Sequence, residues 1–256
     1  MRYDPIIRDM TWSYSRLTTF ENCPYEWLQH YILSLYEEPN FYAQYGILMH
    51  DIFKKFYSAE LTKDELIPCF FSHFLQEVTA PPPSAKVRTE YFTQGRQYLK
   101  TLQPLGREVV EVENKAEFVF ASHQFVGFLD LFSCDASGRL YLTDHKSRVL
   151  KPRSARKKPT LSDRELDKYF RQLYVYSAAV KQKYGAYPDY LEFHCFRSGL
   201  WITEPFDYER YVEVEAWAEK LIEDICTSDA WPANVDYWYC KKLCGFSYDC
   251  EYLDLL

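Results

Sequence analysis

The sequence predicts an α/β protein in which a mixed central β-sheet is flanked by helices and preceded by an N-terminal helical elaboration. Three observations carry this expectation. In the first third, apolar residues recur at three and four, the period of an amphipathic helix. Between Val109 and Lys146 they alternate or run together in short stretches separated by turn residues, as in strands. After Lys146 come one long helical pattern, two short strand-like runs and a last helical pattern.

Taken in order, Ser15 is placed to cap a short helix that Cys23-Pro24 ends, and Pro24 suits the first turn of a helix over residues 25–35. A third helix is expected over residues 46–57, where Leu48, Ile52, Phe53 and Phe56 keep helical spacing. Helical sequence continues to Val78, is interrupted by Pro81-Pro82-Pro83, and resumes over residues 89–102. Strands are expected at 109–113, 116–121, 124–132 and 140–146, with Asp135 and Gly138 marking a hairpin turn before the last. Ser162 and Glu165 read as a capping box opening a helix that Gly185 stops, with Leu166, Phe170, Leu173, Ser177 and Val180 as its buried stripe. On another face of that helix, Gln172 and Tyr176 lie four apart, about 6 Å from one another. Strands at 190–196 and 201–205 and a helix over 208–228 follow. The expected division is a helical region 1–105, a sheet-bearing core 106–230 and a cysteine-rich tail 231–256 packing back on the first region.

Two strand patterns carry charge where a core strand ordinarily has none. Asp130 ends Gly127-Phe128-Leu129-Asp130, and Asp144 and Lys146 share a face of Tyr141-Leu142-Thr143-Asp144-His145-Lys146. Burying a carboxylate among Leu, Phe and Val costs several kcal/mol unless a cation or strong donor meets it. The plain reading is an Asp144–Lys146 ion pair with Asp130 capping a turn; the alternative is a divalent metal that supplies the cation. Glu111 and Glu113 stand in the preceding alternating run, and His50 sits on the third expected helix.

Net charge is −7, a poor overall match to a nucleic-acid binder, but Lys146, Arg148, Lys151, Arg153, Arg156, Lys157 and Lys158 follow one another with no acid between them. Such a stretch is either a solvated loop or a clamp on phosphates. Aromatics make up 18%, with 23 Tyr, which argues against disorder and supplies surfaces on which bases could stack. There is neither a signal-peptide pattern nor a run of about 20 apolar residues, so a cytoplasmic protein without a membrane partner is expected. Its 8 cysteines are then core residues or metal ligands rather than disulfides. Cys240, Cys244 and Cys250 lie in a short polar tail and read as ligands of a metal or cluster, with Cys23 the best fourth. Cys69, Cys134, Cys195 and Cys226 read as ordinary buried cysteines.

These motifs, in this order, resemble the PD-(D/E)XK nuclease superfamily, and within it the RecB-like branch with an iron–sulfur cluster. The likeness rests on Ser13, Ser15, Leu17, Phe20, Cys23 and Pro24, on Gly46 and His50, on Glu113, on Gly127 and Asp130, on Asp144 and Lys146, and on Gln172 and Tyr176. It implies a restriction-endonuclease-like fold and a metal-dependent DNA exonuclease acting on single strands or ends. His50, Asp130, Asp144 and the His145 carbonyl would bind Mg2+ or Mn2+, with Glu113 assisting. Lys146 would activate water and steady the phosphate, and Gln172 and Tyr176 would touch the nucleic-acid backbone or brace the site. Cys23, Cys240, Cys244 and Cys250 would hold a [4Fe-4S] cluster, with structural zinc the competitor; relatives usually place two residues between the first two tail cysteines, and here there are three. The implied settings are recombination, repair or CRISPR adaptation in bacteria or phage, beside a helicase or an integrase. The opposing reading is a nuclease fold kept as a DNA-binding assembly subunit without turnover.

Overall fold

A computed structural model describes residues 4–37, 39–247 and 250–252. Three short helices, α1 (Asp4–Arg8), α2 (Tyr14–Asn22) and α3 (Pro24–Trp27), come first, the last running into a π-helical turn at Leu28–Ile32. Next are α4 (Phe41–Tyr57), α5 (Leu66–Glu77) and α6 (Ala85–Thr101). Strands β1 (Glu108–Phe120), β2 (His123–Cys134) and β3 (Leu140–Lys146) lead to α7 (Leu161–Tyr184). After it come β4 (Tyr190–Cys195), β5 (Leu200–Pro205), α8 (Tyr208–Thr227) and the tail helix α9 (Tyr237–Lys242).

Among the described residues the strands form one sheet in the order β1-β2-β3-β4-β5. β3 and β4 run parallel and the other pairs antiparallel, so the sheet is mixed, as expected. A parallel pair cannot be joined by a tight turn, and the link here is the basic stretch followed by α7.

Several element starts differ from the expected ones, each for a local reason. The cap of α2 is Ser13, whose side chain accepts from the Arg16 N–H at 3.1 Å, so Ser15 lies inside the helix. The third expected helix begins five residues early, because Asn40 accepts from the Tyr42 and Ala43 N–H groups at 3.0 Å. The box opening α7 is Thr160 with Asp163 rather than Ser162 with Glu165; Asp163 also accepts from Ser154, tying the basic stretch to the helix. The strands expected at 109–113 and 116–121 are one strand, β1, with a register shift between Val109 and Glu111 and Glu113 held at φ 44°. The β1–β2 turn is built without glycine, Ala121 and Ser122 both standing in the left-handed region at φ 49° and 60°. The β2–β3 turn is organised as expected, Asp135 accepting from the Ser137 and Arg139 N–H groups and Gly138 taking φ 81°. Gly185 stops α7 at φ 78°.

Two hydrophobic cores hold these pieces. The first joins the sheet to α7 and α8 through the expected stripe, in which Leu166, Phe170, Leu173, Ser177 and Val180 are buried; it also takes in Trp12, Leu17 and Trp27. The second is formed by α4, α5 and α6 around Phe41, Tyr45, Phe53, Phe70 and Phe74, and Phe196, next after β4, inserts into it. Burying each such side chain contributes about 1.5–3 kcal/mol, so Phe196 fixes the helical layer against the end of β4 that pairs with Lys146.

α7 lies close over the sheet at Gly127, where an added Cβ would be 2.5 Å from the Tyr176 ring. Gly127→Ala is therefore expected to lower stability by about 1–3 kcal/mol through overpacking. Urea denaturation should show part of that loss recovered in Gly127→Ala/Tyr176→Leu.

Candidate functional site

The register brings three acids side by side. Val112 pairs with Leu131 and Asn114 with Leu129, which places Glu113 opposite Asp130; one residue beyond the Leu131–Thr143 pair, Asp130 faces Asp144. His50, projecting from α4, meets them. Its Nδ1 is 2.7 Å from Glu113 Oε1 and 3.6 Å from Asp130 Oδ2, and its Nε2 is 3.1 Å from the His145 carbonyl oxygen. Among the described residues, His50, Glu113 and Asp130 are the group of three whose donor atoms lie within 4.8 Å of one another. Asp144 lies outside that group, although its charge acts on both Asp130 and His50. Glu111, the other glutamate of the run, is taken up by Asn114, Tyr184 and Lys183.

Lys146 stands beside this cluster. Its ammonium is 2.7 Å from Asp144 Oδ2 and donates to Gln172 Oε1 at 2.7 Å. Asp144 is buried, and this ammonium is the cation that meets its Oδ2. Gln172 also bonds Tyr176, which reaches the Phe128 backbone. Gln172 and Tyr176 thus brace Lys146. The His145 side chain points elsewhere, packed on Phe53 and joined to His194 at 2.8 Å, with Tyr98 bonded to the far side of His194. That anchorage leaves the His145 carbonyl at the site and its N–H donating to Asp130 at 2.7 Å.

Charge is unbalanced here. Burial, then Asp144, pushes the Asp130 carboxyl up to about 7, against the pull of His50 and the His145 N–H. Burial works against the His50 cation, but Asp130 and Glu113 outweigh it and raise His50 to about 9. His145 and His194 are kept neutral, mainly by burial, His194 falling to about 3. The carboxylates of Glu113 and Asp130, with buried Asp144 beside them and the His145 carbonyl, are the oxygen ligands a hard divalent cation prefers, and the His50 nitrogen is a donor that borderline divalent ions also accept.

A groove of ≈ 1020 Å³ opens from Lys146 and Gln172. Of the basic stretch, Arg148 and Lys151 line it, whereas Arg153 turns away to ion pairs with Glu204 and Asp167 at 2.8 and 2.7 Å. Arg156, Lys157 and Lys158 are exposed. The groove also takes Lys168, Tyr169 and Arg171 from α7 and Trp238 from α9, none of which the sequence reading selected. A signal existed for the first of these: Glu165, Lys168, Tyr169 and Gln172 follow one another at i, i+3, i+4 and i+7. Cys23, Cys240, Cys244 and Cys250 line a separate cavity of ≈ 20 Å³ with Glu26 and Tyr239. No cysteine is in a disulfide, and among the described residues no three sulfurs gather within 4.8 Å. Of the four expected core cysteines, Cys195 is buried and Cys69, Cys134 and Cys226 are half-buried.

The family model of the PD-(D/E)XK nuclease superfamily matches residues 11–253. The chain belongs to that superfamily. The site described above therefore stands in a nuclease fold, whose members usually use a divalent metal. No curated protein matches the chain. A solved structure titled "Crystal structure of SSO0001" is 17% identical, covering 92% of this chain and 94% of its own, with a TM-score of 0.32. A likeness of that degree carries no argument about this chain. Among the described residues no helix is long and apolar enough to cross a membrane.

Ligation needs His50 neutral and Asp130 ionised, whereas both favour their protonated forms at or below neutrality. Mn2+ affinity should accordingly rise with pH up to about 9, with proton release on binding. Calorimetric titration in two buffers of different ionisation enthalpy would show this; a pH-independent affinity would place the ion elsewhere.

Proposed function

We propose that the protein is a Mg2+- or Mn2+-dependent DNA exonuclease of the RecB-like branch, acting on single strands or ends. The observation that carries the proposal is the register that sets Glu113, Asp130 and Asp144 side by side beneath His50, with Lys146 at the mouth of the groove. His50, Glu113, Asp130, Asp144 and the His145 carbonyl would hold the cation. Such a cation, when bound, supplies Lewis-acid chemistry at a phosphodiester: charge neutralisation and acidification of water. Lys146, fixed by Asp144 and Gln172, donates to the phosphate or to the attacking water and offsets developing negative charge. Gln172 and Tyr176 hold that ammonium in place. Arg148 and Lys151 contact phosphates along the groove, with Arg156 to Lys158 adding charge at its approach.

Cys23, Cys240, Cys244 and Cys250 are proposed to hold a [4Fe-4S] cluster joining the N-terminal helices to the tail. Their common cavity supports this. The proposed setting is recombination, repair or CRISPR adaptation, with unwinding or integration supplied by a partner.

Asp144→Ala and Lys146→Ala are each expected to reduce metal-dependent degradation of end-labelled linear DNA by at least about a hundredfold, with circular DNA untouched by the parent protein. Retention of cleavage by both folded variants would refute the assigned site, and cutting of circles would refute the exonuclease assignment. Anaerobic protein should contain iron and acid-labile sulfide in equal amounts; one zinc and no iron would overturn the cluster.

A further inference from the structure

The tail helix α9 stands between two features of the molecule. Tyr239 and Asn234 line both the cysteine cavity and the groove that opens from Lys146, and Tyr239 is fixed in place by donating to Glu26 at 2.9 Å. The residue before it, Trp238, lies in the groove wall with 54% of its surface exposed. A large apolar ring held open in a charged groove is a poor outcome for folding alone, because the same ring inside a core would contribute about 2–3 kcal/mol. Tyr169 from α7 also lines the groove, with the Arg148 guanidinium 5.7 Å over its ring and bonded to its hydroxyl. Cations therefore accompany the rings. Lys146, Arg148, Lys151, Lys168 and Arg171 outnumber the lining acids Glu21, Glu165 and Asp236, in a chain that is acidic overall.

Aromatic faces interleaved with cations match one occupant, a strand with charged phosphates and unpaired bases. In a duplex the bases are stacked on each other and offer no free face, so a stacking ring in the track discriminates in favour of unpaired nucleic acid. We propose that the groove is a single-strand track in which Trp238 is a base-stacking platform, aided by Tyr169, so that the tail helix sets the preference for unpaired DNA. This rests on the nuclease reading above and adds to it the residues that contact bases. The cationic side chains give affinity without regard to bases; Trp238 gives the part that requires a base to be present.

The test compares a fluorescein-labelled oligothymidylate with an abasic oligonucleotide of equal length and charge, by anisotropy with the full chain and no added divalent metal. Wild type should bind the base-bearing strand about 5- to 150-fold more tightly, as expected for stacking of a base on an aromatic ring. Trp238→Ala should lose most of that difference while keeping the salt dependence, and Trp238→Phe should keep most of it. Equal binding of both strands by wild type, a comparison that needs no variant, would overturn the proposal. So would a Trp238→Ala protein that binds oligothymidylate like wild type, or one changed only in its sedimentation, which would assign the exposed indole to self-association. If the base-dependent binding holds but no DNA is degraded in Mg2+ or Mn2+, the nuclease reading fails and the track stands.

Discussion

The fold depends on one electrostatic constraint: three carboxylates on three adjacent strands, with Glu113 opposite Asp130 and Asp130 opposite Asp144. Like charges directly across a sheet destabilise it, and two unit charges 4 Å apart near a protein surface repel by about 4 kcal/mol. The chain meets this with the groups at hand. His50 takes up a proton, Asp130 leans toward its neutral form, and the His145 N–H and the Lys146 ammonium supply partial compensation. Each is an incomplete substitute for a cation at the centre of the group. Asp144, buried, has the Lys146 ammonium against its Oδ2, whereas Asp130 has no lysine or arginine beside it and is left to His50.

The rest of the architecture holds that arrangement in place. Glu113 turns toward His50 because β1 accepts a left-handed backbone there, a conformation costing on the order of 1–3 kcal/mol for a residue with a side chain. His50 is positioned by α4, whose buried face is locked into the second core with α5, α6 and Phe196. Lys146 is set from the opposite direction by Gln172 on α7, a helix that belongs to the first core. The two cores therefore hold opposite sides of one site, and the inward-turned His145 ring, anchored on Phe53 and His194, fixes the strand end between them.

Much of this was legible in the sequence where the signal is local or periodic. The stripe of α7, the Asp135–Gly138 turn, the stop at Gly185 and the strand carrying Asp144 and Lys146 follow from spacing alone. The family resemblance was also legible, because its motifs keep their order along the whole chain. What was not legible depends on competition between neighbouring candidates. Ser13 and Ser15 are equally good caps by type, as are Thr160 and Ser162, and only tertiary fit chooses between them. β1 looked like two strands because Asn114 and Lys115 interrupt its apolar pattern, and only its pairing with β2, Asn114 on Leu129 and Lys115 on Phe128, carries it through. Arg153 looked like its basic neighbours; its partners Asp167 and Glu204 are 14 and 51 residues away. Trp238 gave no signal as a groove residue, since its place is set by a tail returning from the far end of the chain.

The central claim is that the carboxylate row is kept at a cost to the fold because it binds a cation. The most direct measurement is thermal unfolding of wild type and Asp130→Asn near pH 8, each with and without Mn2+. The account predicts that the variant is at least as stable as wild type without metal, having lost a buried charge that the fold disfavours, and that Mn2+ raises the Tm of wild type alone. A destabilised variant that Mn2+ still stabilises as much as wild type would contradict it.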